Sequence, residues 1–526
     1  MVTRIFAVFQ YVTFDIGPDP DQIRDAFVVM DIWQGELPAM GPKSYGFGLA
    51  GFHIPPLYYY LVFPFTLLGQ APVFLAFPNA LFSFLAIPLF IYLTYRLLTG
   101  VHFSKRLFLS GLSGFWYSLL FADIFISNFQ WNPSAMPFFL MLFTLIYAIQ
   151  CQHLSAWKVQ IPAWTASGVV LAILVSLHTS ALFVMPVVYM ITALAFMGKV
   201  FKGMGANLRL ALPGLGLLAA AIALAPYWIG ELQSSFSNTR SIVRTILTVS
   251  GSDEDRSLAI ALGEKGINFL LHYLNSVRQV YFWNTSVAAA VILALAITMI
   301  SSVAFLKFRG DQDIWLVWLA TWGLLLLAAS NLDPGQTAAY YRSLILMTPI
   351  VITAITLAYA DFQGSRAIYY HSAIAVFIAL SCWQNLSHDA QFMAAKYGPK
   401  RLMNTREVAQ VIAHLPEGAR LCSPRIARNR SEHNQYRYID TYVTRQGIAA
   451  VSNCQAGDYV IHPKRIIHLA GNYLDYPDYQ TADFADTGPK VQPELWPTFE
   501  IRDNQPIARP ATLFLELQTA TVYVLS

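Results

Sequence analysis

A short polar segment near the start of the chain brings together three carboxylates and one guanidinium, on Asp19, Asp21, Arg24 and Asp25. A carboxylate can take a proton from a hydroxyl group, and a guanidinium binds phosphate through paired hydrogen bonds. Long apolar runs surround this segment, and charge beside a membrane is costly unless it serves a function. The segment is therefore the first place in the chain where we expect chemistry.

The composition is that of a protein with many membrane spans. The chain has 526 residues, of which 56% are hydrophobic and 12% are charged, and its mean hydropathy is +0.47. Soluble globular proteins carry about 25% charged residues. The net charge of +4 is small and the basic residues are scattered, so we expect no nucleic-acid partner. We predict a mostly α-helical, polytopic membrane protein.

Apolar stretches suited to crossing a bilayer recur as far as residue 386. A spanning helix needs about 20 apolar residues. The candidates are 72–98, 107–127, 133–151, 161–177, 179–197, 210–230, 287–306, 314–330, 343–360 and 373–386. The shorter run 5–14 adds an N-terminal helix, which gives about eleven transmembrane helices.

Basic residues set the predicted orientation of these spans. The loops that carry them contain Arg96, Lys105, Arg106, Lys158, Lys199, Lys202, Arg209, Lys307, Arg309 and Arg366. All these loops fall on one side, which is cytoplasmic by the positive-inside rule, provided that 55–69 is an interfacial helix and not a span. We predict a membrane domain at 1–386 in the cell inner (cytoplasmic) membrane, with the site in the outer loop 15–71. Residues 387–526 then form an extracytoplasmic domain.

The polar segment has the pattern of an amphipathic helix. Asp19 is a natural N-cap, the proline after it suits the first helical position, and Gly35 ends the pattern. Residues three and four apart share a helix face, so Asp21, Arg24 and Asp25 point the same way. We predict a helix at the outer membrane surface that presents carboxylates and a guanidinium.

The sequence becomes polar after residue 386. Asn404 and Glu407 are spaced as a capping box for one helix. Strand-like runs follow at 420–422, 459–462, 513–517 and 522–525. We predict a small α/β domain. Cys422 and Cys454 both lie in it, and an extracytoplasmic location would permit a disulfide, which the sequence alone leaves open.

The stretch 20–26 resembles the first-loop Asp/Arg motif of polyprenyl-phosphate-dependent glycosyltransferases with the GT-C fold. This family includes the protein O-mannosyltransferases and the bacterial aminoarabinose transferase that modifies lipid A. Further motifs follow in the same order, namely Pro55-Pro56 with tyrosines at 58–60, Asn132-Pro133, His178-Thr179, Pro226-Tyr227-Trp228 and Tyr340-Tyr341-Arg342. The resemblance covers the membrane part, and its specificity comes from the motifs occurring together in order.

The resemblance implies an inverting transferase that moves a sugar from a polyprenyl phosphate to a glycolipid, glycan or protein acceptor outside the cytoplasm. It implies Asp21 as the base that takes the proton of the acceptor hydroxyl. The residues implied to bind substrate are Arg24, Asp25, His53, Tyr59, His178 and Arg342. Asp19 and Asp21 are candidate ligands for a divalent metal, whose presence the sequence leaves open.

Some positions depart from the family pattern, and other functions stay open. Some relatives carry lysine directly before the paired prolines and another lysine at the start of the His178-Thr179 motif, where this chain has Ile54 and His178. One alternative is an en bloc oligosaccharide transferase, and another is a transporter of lipids or small molecules. Transporters place polar residues near the bilayer midplane, often within inverted repeats. Here the polar residues concentrate at the predicted outer interface and no repeat is visible.

Overall fold

Helices dominate the fold of this chain. A computed structural model describes residues 2–10, 21–44, 51–69, 72–128, 130–200, 206–251, 281, 308, 310–332, 347–359, 365–398, 404–422, 448–451, 455–463, 465–470, 478–483, 499–502, 505–508, 511–518 and 520–526. The described α-helices are α1 (Val2–Phe6), α2 (Asp21–Asp31), α3 (Leu57–Val62), α4 (Pro72–Leu97), α5 (Phe103–Ser118), α6 (Phe121–Ser127), α7 (Met136–Gln152), α8 (Trp157–Leu177), α9 (Thr179–Val200), α10 (Ala206–Ala223), α11 (Ala225–Gln233), α12 (Ser237–Gly251), α13 (Gln312–Leu332), α14 (Thr348–Tyr359), α15 (Ser365–Tyr397) and α16 (Thr405–His414).

Several of these helices make the chain a multi-pass membrane protein. Four helical stretches are each long and apolar enough to cross a bilayer: Pro72–Leu97, Asn132–Gln152, Trp157–Leu177 and Thr179–Lys199. Two bent helix pairs raise this number to six if each pair is one span, counting the described residues only. The predicted span 287–306 lies outside those residues, so the expected total of about eleven spans stays a prediction.

Two predicted spans are broken in the structure. The stretch 107–127 forms α5 and α6, with a bend of 55° between them. The stretch 210–230 forms α10 and α11, with a bend of 61°. At the first break, the amide of Phe121 donates to Asn385 Oδ1 of α15 at 2.8 Å, which satisfies a group that the broken helix leaves unpaired. At the second break, Pro226 occupies the first turn of α11 and has no N–H to satisfy.

The helices α8 and α10 lie close together at two glycines. A Cβ on Gly168 would lie 1.9 Å from the carbonyl oxygen of Gly216. A Cβ on Gly216 would lie 2.1 Å from the hydroxyl of Tyr189, which donates to the carbonyl of Pro213 at 2.8 Å. Small residues allow this close approach of helix backbones within a membrane.

We expect Gly168→Ala to lower the free energy of unfolding by about 1–3 kcal/mol, because the added methyl group must push two helix backbones apart. Thermal unfolding of the purified protein in detergent measures the effect. Gly111→Ala on α5 is the matched control, since nothing lies within 4 Å of its Cβ position. If Gly168→Ala had the same melting temperature as the wild type, the result would contradict this close packing of α8 and α10.

A buried ion pair fixes the N-terminal helix. Arg4 of α1 and Asp123 of α6 are both fully buried and contact each other, and Ser83 of α4 hydrogen-bonds to both side chains. Arg4 also donates to the carbonyl of Tyr117 at 2.8 Å, and the Tyr117 hydroxyl donates to Asp123 at 3.0 Å. The pair therefore joins α1, α4 and the broken helix α5–α6.

The long helix α15 ties the end of the membrane part to the start of the chain. Its buried Lys396 donates to the carbonyl of Ala7 at 2.9 Å, and Tyr397 donates to the carbonyl of Phe6. Asn404, just beyond this helix, donates to the side chain of Gln10. The two ends of the membrane part are therefore neighbours.

The C-terminal part contains a small mixed sheet. The first loop contains two short strands, β1 (Lys43–Ser44) and β2 (Phe52–His53). The strands described in the C-terminal part are β3 (Arg420–Cys422), β4 (Ala449–Val451), β5 (Tyr459–Pro463), β6 (Arg465–Ala470), β7 (Asp478–Asp483), β8 (Phe499–Arg502), β9 (Gln505–Ala508), β10 (Ala511–Glu516) and β11 (Ala520–Leu525). The main sheet has the order β10-β11-β5-β3-β4, in which β3 is parallel to β4 and β5 and the other pairs are antiparallel. The four predicted strands are confirmed, and so is the capping box of α16 between Asn404 and Glu407. Cys422 is disulfide-bonded, and Cys454 lies outside the described residues.

Candidate active site

The predicted helix of the first loop is confirmed. It begins at Asp21 as α2, continues as a 3₁₀ turn over Ile32–Gln34, and ends at Gly35 in the left-handed region. The side chain of Asp21 lies outside the described part of the chain, and so do Asp19 and Arg342. Of the predicted site, the structure therefore describes the side chains of Arg24, Asp25, His53, Tyr59 and His178.

A buried carboxylate organises α2. The Asp25 side chain is 0% exposed, and its Oδ1 accepts hydrogen bonds from Arg24 Nε at 2.9 Å and from the Tyr59 hydroxyl at 2.9 Å. Arg24 Nη2 lies 2.8 Å from the same oxygen, while the Arg24 side chain is 33% exposed. The structure thus brings three of the predicted residues together, with the guanidinium at the surface of the group.

The electrostatics of this group favour a neutral Tyr59. Burial, followed by the negative charge of Asp25, raises the pKa of the Tyr59 hydroxyl. The phenol therefore remains a donor toward Asp25 at all physiological pH values. Because Tyr59 lies on α3, this hydrogen bond joins the loop helix α2 to the predicted interfacial helix.

The stretch 55–69, which we predicted to be an interfacial helix, is helical. It consists of α3 followed by a 3₁₀ segment, Phe63–Leu68. On one side, Asn79 of α4 donates to the Tyr58 hydroxyl at 3.2 Å and to the carbonyl of Trp131 at 2.9 Å. On the other side, the Tyr60 hydroxyl donates to the carbonyl of Pro38 at 2.8 Å. These bonds fix α3 between the membrane helices and the chain that follows α2.

The C-terminal part covers a further face of α2. Phe27 packs against the apolar core of that part, which includes Val411, Leu421 and Val522. The helix α2 is therefore held from two directions, by Tyr59 and by Phe27. Such double support positions its polar residues more precisely than a free surface helix would.

His178 lies at the junction of α8 and α9. The amide of Ser180 donates to His178 Nδ1 at 3.1 Å, and the Ser180 hydroxyl lies 2.8 Å from the same nitrogen. Nδ1 is therefore an acceptor, and the proton of the neutral ring is on Nε2. Burial lowers the pKa of His178 to about 4, so the ring is uncharged at neutral pH. A neutral His178 thus does not supply the positive charge that a lysine would bring to this position.

His53 lies on a short hairpin that the sequence did not predict. Strand β1 (Lys43–Ser44) pairs antiparallel with β2 (Phe52–His53). His53 Nδ1 lies 2.8 Å from the carbonyl oxygen of Gly41. Its backbone amide donates to Asn238 Oδ1 at 2.6 Å, and Asn238 Nδ2 donates back to the His53 carbonyl at 2.9 Å. The first loop is therefore tied to α12.

Asn238 and its neighbours were missed by the sequence analysis. Asn238 Nδ2 also donates to the Tyr227 hydroxyl at 2.9 Å, and the buried Glu231 accepts from the amide of Thr239 at 3.3 Å. Tyr227 belongs to a motif that we noted, but nothing in the local pattern marks Asn238. Its role depends on the pairing with His53, which a single sequence does not reveal.

A metal site is not defined by the described residues. No cluster of three or more His, Cys, Asp or Glu side chains occurs among them. The two carboxylates predicted as possible ligands, Asp19 and Asp21, lie outside this description. The divalent metal therefore stays an open prediction.

Comparison with solved structures relates this fold to lipid-phosphate glycosyltransferases. ArnT from Cupriavidus metallidurans, in a crystal structure bound to undecaprenyl phosphate, superposes with a TM-score of 0.50 at 10% sequence identity, over 99% of this chain and 96% of ArnT. The archaeal oligosaccharyltransferase AglB from Archaeoglobus fulgidus, in complex with an inhibitory peptide and a dolichol phosphate, gives a TM-score of 0.41 at 14% identity. That match covers 80% of this chain, which spans only 61% of AglB.

The comparison establishes the fold class. The chain has the GT-C-like fold of the ArnT structure along essentially its whole length, with the helical membrane part followed by the small mixed sheet. No protein-family model matches the sequence, and a search of curated protein sequences finds no match. The expected fold class is confirmed at this level, while substrate and mechanism rest on the site itself.

Proposed function

We propose that this chain is an inverting membrane glycosyltransferase. It transfers a sugar from a polyprenyl-phosphate donor to a glycolipid, glycan or protein acceptor on the extracytoplasmic face. The similar ArnT structure contains undecaprenyl phosphate, which is the lipid phosphate that a sugar-linked donor of this class would release. The observation that carries the proposal in this chain is the geometry of Arg24.

Arg24 is suited to bind the phosphate of the donor. Asp25 holds the guanidinium by one oxygen, at 2.9 Å from Nε and 2.8 Å from Nη2, and the side chain remains 33% exposed. A guanidinium is planar, permanently charged and rich in N–H donors. The geometry of its paired N–H groups matches phosphate oxygens. In this proposal Asp25 and Tyr59 position Arg24 and do not touch the sugar.

Asp21 is the proposed base, one helical turn before Asp25. In the transfer, the acceptor oxygen attacks the anomeric carbon while the bond from that carbon to the phosphate oxygen breaks. The acceptor proton passes to the Asp21 carboxylate, and the phosphate departs with the bonding electrons. The transition state resembles an oxocarbenium ion, and Arg24 stabilises the negative charge that develops on the leaving phosphate.

The proposal includes the orientation and the domain limits. About eleven spans place α2, α3 and the His178 junction on the outer face, with residues 1–386 in the membrane domain and 387–526 outside. The disulfide bond of Cys422 supports an oxidising environment for the C-terminal part. Helix α15 runs through the proposed limit to Tyr397, so the two domains share one continuous helix there.

We expect Arg24→Ala to weaken the binding of undecaprenyl phosphate by about 10- to 100-fold, because the main charged donor to the phosphate is lost. The measurement is equilibrium binding of undecaprenyl phosphate to the purified protein in nanodiscs. Arg24→Lys should restore only part of the affinity, since an ammonium group cannot make paired hydrogen bonds.

Arg240→Ala provides the matched control for this experiment. Arg240 is an exposed arginine of α12, and its loss should leave the affinity unchanged. Wild-type protein that does not bind undecaprenyl phosphate, or equal losses in both variants, would argue against the proposed donor site.

A further inference from the structure

We propose that His53 recognises a carbohydrate hydroxyl through its Nε2 atom. This inference rests on the proposed function and assigns His53 a partner other than the donor phosphate. The geometry that carries it is the fixed orientation of the imidazole ring. Three hydrogen bonds, one from the ring and two at the backbone, hold His53 in place.

The ring bond determines the tautomer. The Gly41 carbonyl oxygen, 2.8 Å from His53 Nδ1, can only accept a hydrogen bond. Nδ1 therefore carries the proton, and Nε2 of the neutral ring presents a lone pair. Such a nitrogen accepts a hydrogen bond from a hydroxyl group. It gains no hydrogen bond from the phosphodiester of a sugar-linked donor, which offers no proton.

The carbonyl that fixes the ring is itself held tightly. A Cβ on Gly41 would lie 2.4 Å from the carbonyl oxygen of Pro55 and 2.6 Å from that of Ile54, so only glycine fits. The Gly41 amide donates to the Ile54 carbonyl at 2.8 Å. The backbone that follows His53 is therefore held against Gly41, the residue that holds its ring.

The clamp from α12 is also built at a conformational cost. The turn between α11 and α12 contains Ser235 and Phe236 with φ of 52° and 59°, a region that side chains other than glycine rarely adopt. The turn closes when the Phe236 amide donates to the Glu231 carbonyl at 2.6 Å. It delivers Asn238 to the backbone of His53. Strain of this kind persists where the surrounding structure holds it in place, often at functional sites.

The position of His53 makes Nε2 available to a substrate. The residue is half-buried, and within the described residues its bonds run to Gly41 and Asn238 and leave Nε2 without a protein partner. It directly precedes the segment that leads into α3, whose Tyr59 bonds to the Asp25–Arg24 pair. A sugar hydroxyl beside the donor phosphate, or the hydroxyl of a carbohydrate acceptor, has the required chemistry.

Two variants separate the two ring nitrogens. His53→Asn places an amide N–H near the Nδ1 position and keeps the bond to Gly41, but it removes the acceptor. His53→Gln reaches the Nε2 position with its amide oxygen and keeps an acceptor. Both variants should melt within a few degrees of the wild type, since the backbone bonds to Asn238 do not depend on the side chain.

The readouts are the affinities for undecaprenyl phosphate and for undecaprenyl-phosphate-linked pentoses and hexoses. The acceptor KM is measured in transfer to lipid extracts of the native membrane. We expect His53→Asn to bind undecaprenyl phosphate like the wild type. Either its affinity for the sugar-linked donor should fall by about 3- to 10-fold, or its acceptor KM should rise by about the same factor. The corresponding change in His53→Gln should be smaller. The arm that changes shows whether the hydroxyl belongs to the donor or to the acceptor.

Results that contradict the inference can be told apart from results that contradict the proposed function. If His53→Asn weakened the binding of undecaprenyl phosphate itself, His53 would be a phosphate ligand and the inference would be wrong. If His53→Asn changed neither the affinity for the sugar-linked donor nor the acceptor KM, the inference would also be wrong. Wild-type protein that binds no undecaprenyl phosphate would instead refute the proposed function, and the inference would fall with it.

Discussion

Asp21→Asn is expected to reduce sugar transfer by about 10²- to 10⁴-fold, the range that a positioned general base contributes. The amide keeps the size of the side chain and the start of α2 but cannot take the proton of the acceptor hydroxyl. Donor binding should change little, because the phosphate is assigned to Arg24. The measurement is the rate of transfer from a polyprenyl-phosphate sugar by purified protein, alongside binding of undecaprenyl phosphate.

Glu36→Gln is the matched control for that variant. Glu36 is an exposed carboxylate just beyond the end of α2, and the change removes the same charge from the same loop. We expect its transfer rate to stay within about twofold of the wild type. A surface substitution of this kind usually changes the free energy of unfolding by less than about 0.5 kcal/mol. An Asp21→Asn variant with full activity would eliminate Asp21 as the base and move attention to another residue of the loop.

The second large effect concerns stability. Arg4→Leu is expected to lower the free energy of unfolding by about 3–5 kcal/mol, because it leaves the buried Asp123 carboxylate without its opposite charge. Ser83 and Tyr117 would still donate to Asp123, but neutral donors do not compensate a buried charge. Unfolding in mixed detergent micelles, followed by tryptophan fluorescence, measures the loss.

The double variant Arg4→Leu/Asp123→Leu tests the cause of that loss. Replacing both ions by apolar residues removes the unpaired charge, so stability should return close to the wild-type value. A double variant as unstable as Arg4→Leu would show that packing at these positions, and not charge, determines the effect.

Local pattern was sufficient to predict the two helices of the first loop. The first loop helix follows from Asp19, its proline and Gly35, and the helix over 55–69 follows from an apolar run that is too short for a span. The capping box of α16 was equally visible, because its two partners stand three residues apart. These signals involve neighbours in sequence, which one sequence displays directly.

Long-range partners could not be predicted in the same way. The sequence pattern places Asp25 on one face with Arg24, but its burial depends on Tyr59, 34 residues away. The fixed ring of His53 depends partly on Asn238, 185 residues away. The break between α5 and α6 depends on Asn385, 264 residues from Phe121. Each is a tertiary contact between residues that propensity and periodicity treat separately.

The buried pair of Arg4 and Asp123 also has a consequence for how the chain is made. Asp123 leaves the ribosome 119 residues after Arg4. Until then Arg4 lacks the carboxylate that it contacts in the folded chain, and a charge is costly to bury without its partner. The helix α1 therefore reaches its final, buried position only when α4, α5 and α6 are present around it. Burial of α1 is thus completed during synthesis, by helices that are made after it.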